Sequence, residues 1–219
     1  MIVSGFVNYM FRNYDEVLSL TFEHIQLVGT AIIIAVLIGV PLGIYLTTNE
    51  ALADTVLQIT SIIMTIPSIA LFGIMIPVLS IINQGIGFLP AVIALILYSQ
   101  LPIVRNTYVA IKNIDPNIRD AAKGIGMTTY QRLLRVEIPN GLPLIMAGVR
   151  TATVLNIGIG AIAAFIGSGG LGVLIDQGIS RNNNNLVLAG AVSVSILAII
   201  ADFILRAIQN KITPKGIRN

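Results

Sequence analysis

The densest group of side chains in this chain that could do chemistry stands in one stretch, Lys112 to Pro143, a charged island in otherwise apolar sequence. Within it, Asp120-Ala121-Ala122, Gly126 and Val136-Glu137-Ile138-Pro139 are three short pieces at fixed spacing. Paired alanines let another helix approach closely, and a glycine permits a sharp turn between helices. The chemistry suggested is docking, not bond making. No segment gathers carboxylates, histidine or a nucleophile with its base, so no catalytic residue is expected. The chain has one histidine and no cysteine, which leaves no thiol catalysis, disulfide or Cys-based metal site, and no metal ligand set is expected. His24, beside Glu23 at the edge of an apolar run, reads as an interfacial residue and not a ligand. Gly167-Ser168-Gly169-Gly170-Leu171-Gly172 has the glycines of a phosphate cradle, but no Lys-Ser/Thr follows, and nothing matches a nucleotide-binding P-loop.

Two further charges, Arg150 and Asp202, lie inside apolar runs at matching depth. An unpaired charge there is costly, so the two are expected to pair across their helices. Asn156 is a mid-run amide that needs a partner or an aqueous path. Pro67, Ser68, Asn156 and Gly158 are the candidates for lining such a path.

The elements that must position these residues are membrane helices. Hydrophobic residues make up 55% of the 219, charged residues only 11%, and the mean hydropathy is +0.89. A soluble domain would need more polar surface, whereas several runs reach the roughly 20 apolar residues that span a bilayer. The fold expected is all-α and polytopic, with about five spans. The net charge of +3 does not point to nucleic acid, because the basic residues cluster between apolar runs.

Residues 1–20 read as an amphipathic helix lying on the membrane lipid, with Val3, Phe6, Val7, Met10, Tyr14, Val17 and Leu18 on one face; the alternative is a leader packed against a partner subunit. No signal peptide is recognisable. Residues 21–212 form the transmembrane domain. The first span runs from about His24 to Tyr45, then Thr47 to Asp54 is a polar connection. Leu57 to Ile82 holds Pro67 and Pro77 and reads as one kinked helix, with two half-spans as the alternative. Phe88 to Val104 is the next span.

Two capped helices follow in the island. Asp115 is an N-cap with Pro116 at the first helical position and Gly124 as the stop. Thr128 opens a second helix with a capping box to Gln131, and Pro139 ends it. Leu144 to Ile166 is a span rich in small residues, which allow close helix packing in lipid. Leu186 to about Ile208 is the last, followed by a basic tail at 213–219. Lysine and arginine crowd the island and the tail, while Gly167 to Asn185 carries only Arg181. The island and the C-terminus are therefore expected on the cytoplasmic side, and five spans place the N-terminus outside. No internal repeat is visible, so a transport path would have to form between two subunits.

The three pieces of the island resemble the "EAA loop" of bacterial ABC importer permeases: Glu-Ala-Ala, three residues, Gly, nine residues, Ile-x-Leu-Pro. Asp120 stands for Glu, Val136 for the first Ile and Ile138 for Leu. The resemblance implies that Asp120, Ala121, Ala122, Gly126, Val136, Ile138 and Pro139 belong to coupling helices that dock on a separate cytoplasmic ATPase subunit. ATP would then be bound by that partner, and no cofactor by this chain, which would not itself be an enzyme. Ile66-Pro67-Ser68-Ile69-Ala70-Leu71, Leu101 to Tyr108, Gly148 to Val154 and Gly169-Gly170-Leu171-Gly172 resemble permeases of osmoprotectant importers, which move glycine betaine, carnitine or choline. Methionine-importer permeases share the five-span plan and a similar glycine loop, and are the alternative. The partners implied are the ATPase, a second permease of the same or a sister chain, and an extracellular substrate receptor. Asn182, Asn183 and Asn184 are the candidate receptor contact. Quaternary ammonium ligands are usually held by aromatic cages; a chain without Trp leaves tight recognition to that receptor. The location expected is the bacterial plasma membrane. A stand-alone secondary transporter would normally show internal repeats and mid-membrane ion ligands.

Overall fold

The computed structural model describes residues 2–213, so the tail expected at 213–219 lies beyond them except for Thr213. All regular structure among the described residues is helical. It comprises α1 (Ile2–Arg12), α2 (Tyr14–Leu46), α3 (Glu50–Thr65), α4 (Ser68–Ser80), α5 (Phe88–Lys112), α6 (Pro116–Gly124), α7 (Thr129–Arg132), a π-turn at Leu133–Glu137, α8 (Ile138–Ala163), a 3-10 turn at Ala164–Ile166, α9 (Gly172–Ser180) and α10 (Asn184–Ile212). Four helices are long and apolar enough to cross a membrane, and the α3–α4 pair makes a fifth if its two halves form one span.

Helix α5 is the axis of the bundle, with α2, α3, α4 and α8 packed around it. Its seams with α2 and α8 depend on small residues. At Gly148 of α8 an added Cβ would stand 2.6 Å from the Pro102 carbonyl oxygen of α5, so the two backbones touch there. Leu27, Ala31, Phe72, Leu95 and Ile157 fill the largest core cluster. The outward face of α10, with Ile199, Phe203 and Ile204, is left exposed, as expected of a surface that meets lipid or another subunit.

Several boundaries differ from the sequence reading. The amphipathic segment is not one helix through residue 20: it breaks at Asn13, and Tyr14 already begins α2. Asn49 caps α3 by accepting from the Leu52 N–H at 3.1 Å, so most of the supposed connection Thr47 to Asp54 is helix. The segment 57–82 is not one kinked helix. Ile66 and Pro67 are extended, and the two halves meet at 100°. Proline at 67 removes a donor and disfavours helix at 66, and the Tyr98 hydroxyl donates to the freed Ile66 carbonyl. Pro77, by contrast, stays inside α4.

Pro139 does not end a helix either. The Ile138 N–H reaches back five residues to the Leu133 carbonyl, and α8 continues through Pro139 and Pro143, so that span begins at Ile138 and not at Leu144. The π-turn inserts one extra residue, and this lets Pro139 fall in the first turn of the next α segment, where its missing donor is tolerated.

Candidate functional site

The island is two short helices locked to the ends of two spans. Asp115 Oδ1 accepts from the Asn117 N–H at 2.8 Å and starts α6. The helix ends at Gly124, as expected, with Ile125 as its C-cap, and the chain turns at Gly126, whose φ is +79°. There the Gly126 N–H bonds the Lys123 carbonyl at 2.9 Å and the Met127 N–H bonds the Ala122 carbonyl at 3.1 Å, the paired bonds of a Schellman close. No atom lies within 4 Å of where a Gly126 side chain would begin, so conformation, not crowding, calls for glycine. Thr128 and Gln131 form the reciprocal capping box, at 3.0 and 3.3 Å.

One buried carboxylate joins these pieces. Glu137, 6% exposed, holds its Oε1 at 2.8 Å from Arg132 Nε and 3.2 Å from Arg119 Nε. Arg119 also donates to the Ile111 carbonyl in the last turn of α5. Helix α6 is thereby tied to α5, and both island helices to the base of α8. On the outer side Asp120 pairs with Lys123 at 3.0 Å, and Ala121 is exposed. Ala122 is buried inside the island, while Val136, Ile138 and Pro139 are half-buried. The island's most exposed apolar groups are Ile125, at 75%, and Tyr130, at 70%, ahead of Ile118 and Leu134, side chains a solvated polar island would not require. Neither Ile125 nor Tyr130 is among the docking residues expected from sequence. Sequence reasoning missed Arg119 and Arg132 as partners of Glu137, because each basic residue serves as a topology signal wherever its side chain points.

The membrane residues separate into groups. Arg150 and Asp202 meet: the guanidinium donates to Oδ1 through Nη2 at 2.7 Å and Nε at 3.0 Å. Asn156 is fully buried in the α5–α8 seam, where its amide donates to Ser99 Oγ at 2.8 Å and the Leu95 carbonyl at 3.2 Å. In this subunit it therefore bonds α8 to α5 and has no exposed surface. Gly158, two residues on, is exposed with open space before it. Pro67 is exposed and Ser68 half-buried at the α3–α4 elbow.

On the opposite side, Asn182 takes φ +49° and Asn183 caps α10, accepting from the Asn185 and Leu186 N–H groups. Asn184 is the first residue of α10 and is exposed. The asparagine run thus shapes a helix start, a local role that its composition already permits. His24 is not at an edge. It is fully buried, and its Nε2 lies 3.0 Å from the Ile157 carbonyl, so that nitrogen is the donor. Beside it Glu23 accepts from the Gly170 N–H at 3.0 Å and ties the glycine loop to α2. The only sequence trace of this clasp is two polar neighbours at the start of an apolar run.

Known proteins resemble this chain over most of its length. The family described as "Binding-protein-dependent transport system inner membrane component" matches residues 35–214. The osmoprotectant import permease protein OsmW of Salmonella typhimurium (strain LT2) is 52% identical over 97% of this chain and 99% of its own length. The glycine betaine/carnitine/choline transport system permease protein OpuCB of Bacillus subtilis (strain 168) is 41% identical over 97% of this chain and 95% of its own. Among solved structures, an inward-facing conformation of the MetNI methionine ABC transporter superposes with a TM-score of 0.79 at 25% identity, covering 88% of this chain and 94% of that one.

Proposed function

From the premise that this chain belongs to the family of binding-protein-dependent transport system inner membrane components, we infer that it is the multi-pass permease of an ABC importer for osmoprotectants. The substrate class rests on relatives that match nearly end to end, at 52% and 41% identity. The methionine transporter shares the fold at 25% identity and does not favour a methionine substrate over that reading.

The island is the element we assign to coupling. A capped helix pair, fastened by Glu137 to α5 and α8 and presenting Ile125 and Tyr130 outward, can pass force from a docked protein into the spans. Hydrolysis is assigned to a separate ATPase subunit, ATP to that subunit, and no cofactor to this chain. A second permease completes the path, and an extracellular receptor delivers the substrate, with Asn182, Asn183 and Asn184 on the face that would receive it. We assign the island and the C-terminus to the cytoplasm, a reading supported by their basic residues.

Uptake of labelled glycine betaine into proteoliposomes, with and without ATP and the ATPase, tests this reading. Transport is expected only with both. Gly126→Asp is expected to lose the ATPase on co-purification, or to keep it with uncoupled hydrolysis, because a side chain is strained at φ +79°. Uptake without ATP would instead identify a secondary transporter.

A further inference from the structure

Between α8 and α10 the surface opens into a groove of about 650 Å³, and the Arg150–Asp202 pair lies in it near the middle of α8. Both hydrogen bonds of the pair fall on one carboxylate oxygen, Oδ1, and the Asp202 side chain remains 41% exposed. Among the described residues no donor reaches Oδ2. The guanidinium has a second anchor: Nη1 donates to Gln209 Oε1 at 3.1 Å, and Gln209 is itself held through its amide to the Pro143 carbonyl at 3.1 Å. Arg150 would therefore keep its place if Asp202 took another partner. Phe203, its ring exposed on the face of α10 that would meet a second permease subunit, lines the same groove, as do Thr151, Leu155 and Ile199.

A salt bridge that only fastened two helices would need neither the open carboxylate oxygen nor the second anchor. We propose that this groove is a transient binding site for a zwitterion, taking its carboxylate on Arg150 and its quaternary ammonium between Asp202 and Phe203. The inference rests on the osmoprotectant reading above and adds how the chain would tell one such solute from another. A planar guanidinium accepts a carboxylate through two parallel hydrogen bonds, and an aromatic face attracts a quaternary ammonium. Opening an ion pair inside a membrane protein is costly if either charge is left alone. Glycine betaine or carnitine supplies a counter-charge to both ends, so the pair can open without an orphan. Choline supplies only the cation: it can approach the open Oδ2 while Arg150 stays on Oδ1, and it gains nothing from the guanidinium. The groove thus favours zwitterions over simple cations.

The test is paired uptake of labelled glycine betaine and choline by the reconstituted importer. Arg150→Gln removes the carboxylate partner, and the ratio of betaine to choline uptake is expected to fall about tenfold, the loss of a charged hydrogen-bonding group. Phe203→Leu, a change at an exposed ring that leaves the fold intact, is expected to slow both substrates while receptor binding is unchanged. The swapped double variant Arg150→Asp with Asp202→Arg re-forms the ion pair and is expected to restore assembly but not betaine uptake. An unchanged ratio in Arg150→Gln, or full recovery of betaine uptake in the swapped variant, would overturn the proposal and leave a structural clamp. A wild-type complex that moves neither solute would instead overturn the osmoprotectant reading itself.

Discussion

A carboxylate shared between two guanidinium groups, as Glu137 is between Arg119 and Arg132, holds three segments with one side chain. Glu137→Gln keeps the shape and removes the charge, leaving two partly buried cations without a counter-ion. The expected loss is about 1–3 kcal/mol, at the lower end because the arginines are partly solvated. It should appear as a lower unfolding midpoint and as faster proteolysis within 112–143. An unchanged midpoint and cleavage rate would mean that the caps alone hold the island. At this scale the sequence was readable wherever the interaction is local. Asp115 with Asn117 and Thr128 with Gln131 are two or three residues apart, and their geometry follows from backbone rules. Arg150 and Asp202 were readable for another reason, since two charges in apolar runs have few alternatives to each other. Glu137 with Arg119 was not readable, because that contact depends on how the island folds over the end of α5. His24 was misplaced at an edge for the same reason: its partner, Ile157, is 133 positions away.

At the scale of elements, close approach decides where the spans sit. Gly148→Leu would drive a side chain into the Pro102 carbonyl, 2.6 Å from the position of its first carbon. The α5–α8 seam must then separate, at a cost of about 1–3 kcal/mol or more. The expected result is a protein that aggregates at lower temperature in detergent while its helix content stays near that of wild type. Full retention of thermal stability would show that the seam can yield. The number of spans and the island's helices were legible because length, hydropathy and caps are properties of short windows. Prolines were harder. Pro67 breaks a helix, Pro77 does not, and Pro139 sits within a continuous helical run because a π-turn precedes it. A proline in sequence announces a missing donor, but whether a neighbour such as Tyr98 takes up the freed carbonyl is settled by packing.

At the scale of the whole molecule the orientation in the membrane is open to direct measurement, because the chain has no native cysteine. A membrane-impermeant maleimide is expected to label Asn184→Cys in intact cells and Lys123→Cys only after permeabilisation. The opposite pattern would invert the topology and remove the island from the ATPase. The two positions lie beyond opposite ends of one helical run, Thr129–Ile166, which is 38 residues long and therefore about 57 Å from end to end. Gly148, pressed on the Pro102 carbonyl, stands close to its midpoint. A rod held at its middle is a balanced lever. With that contact as the fulcrum, a tilt of about 5° would carry each end roughly 2–3 Å, in opposite directions. A small push on the island would thus arrive at the glycine loop as an equal and opposite displacement, at the place where Glu23 of α2 holds that loop.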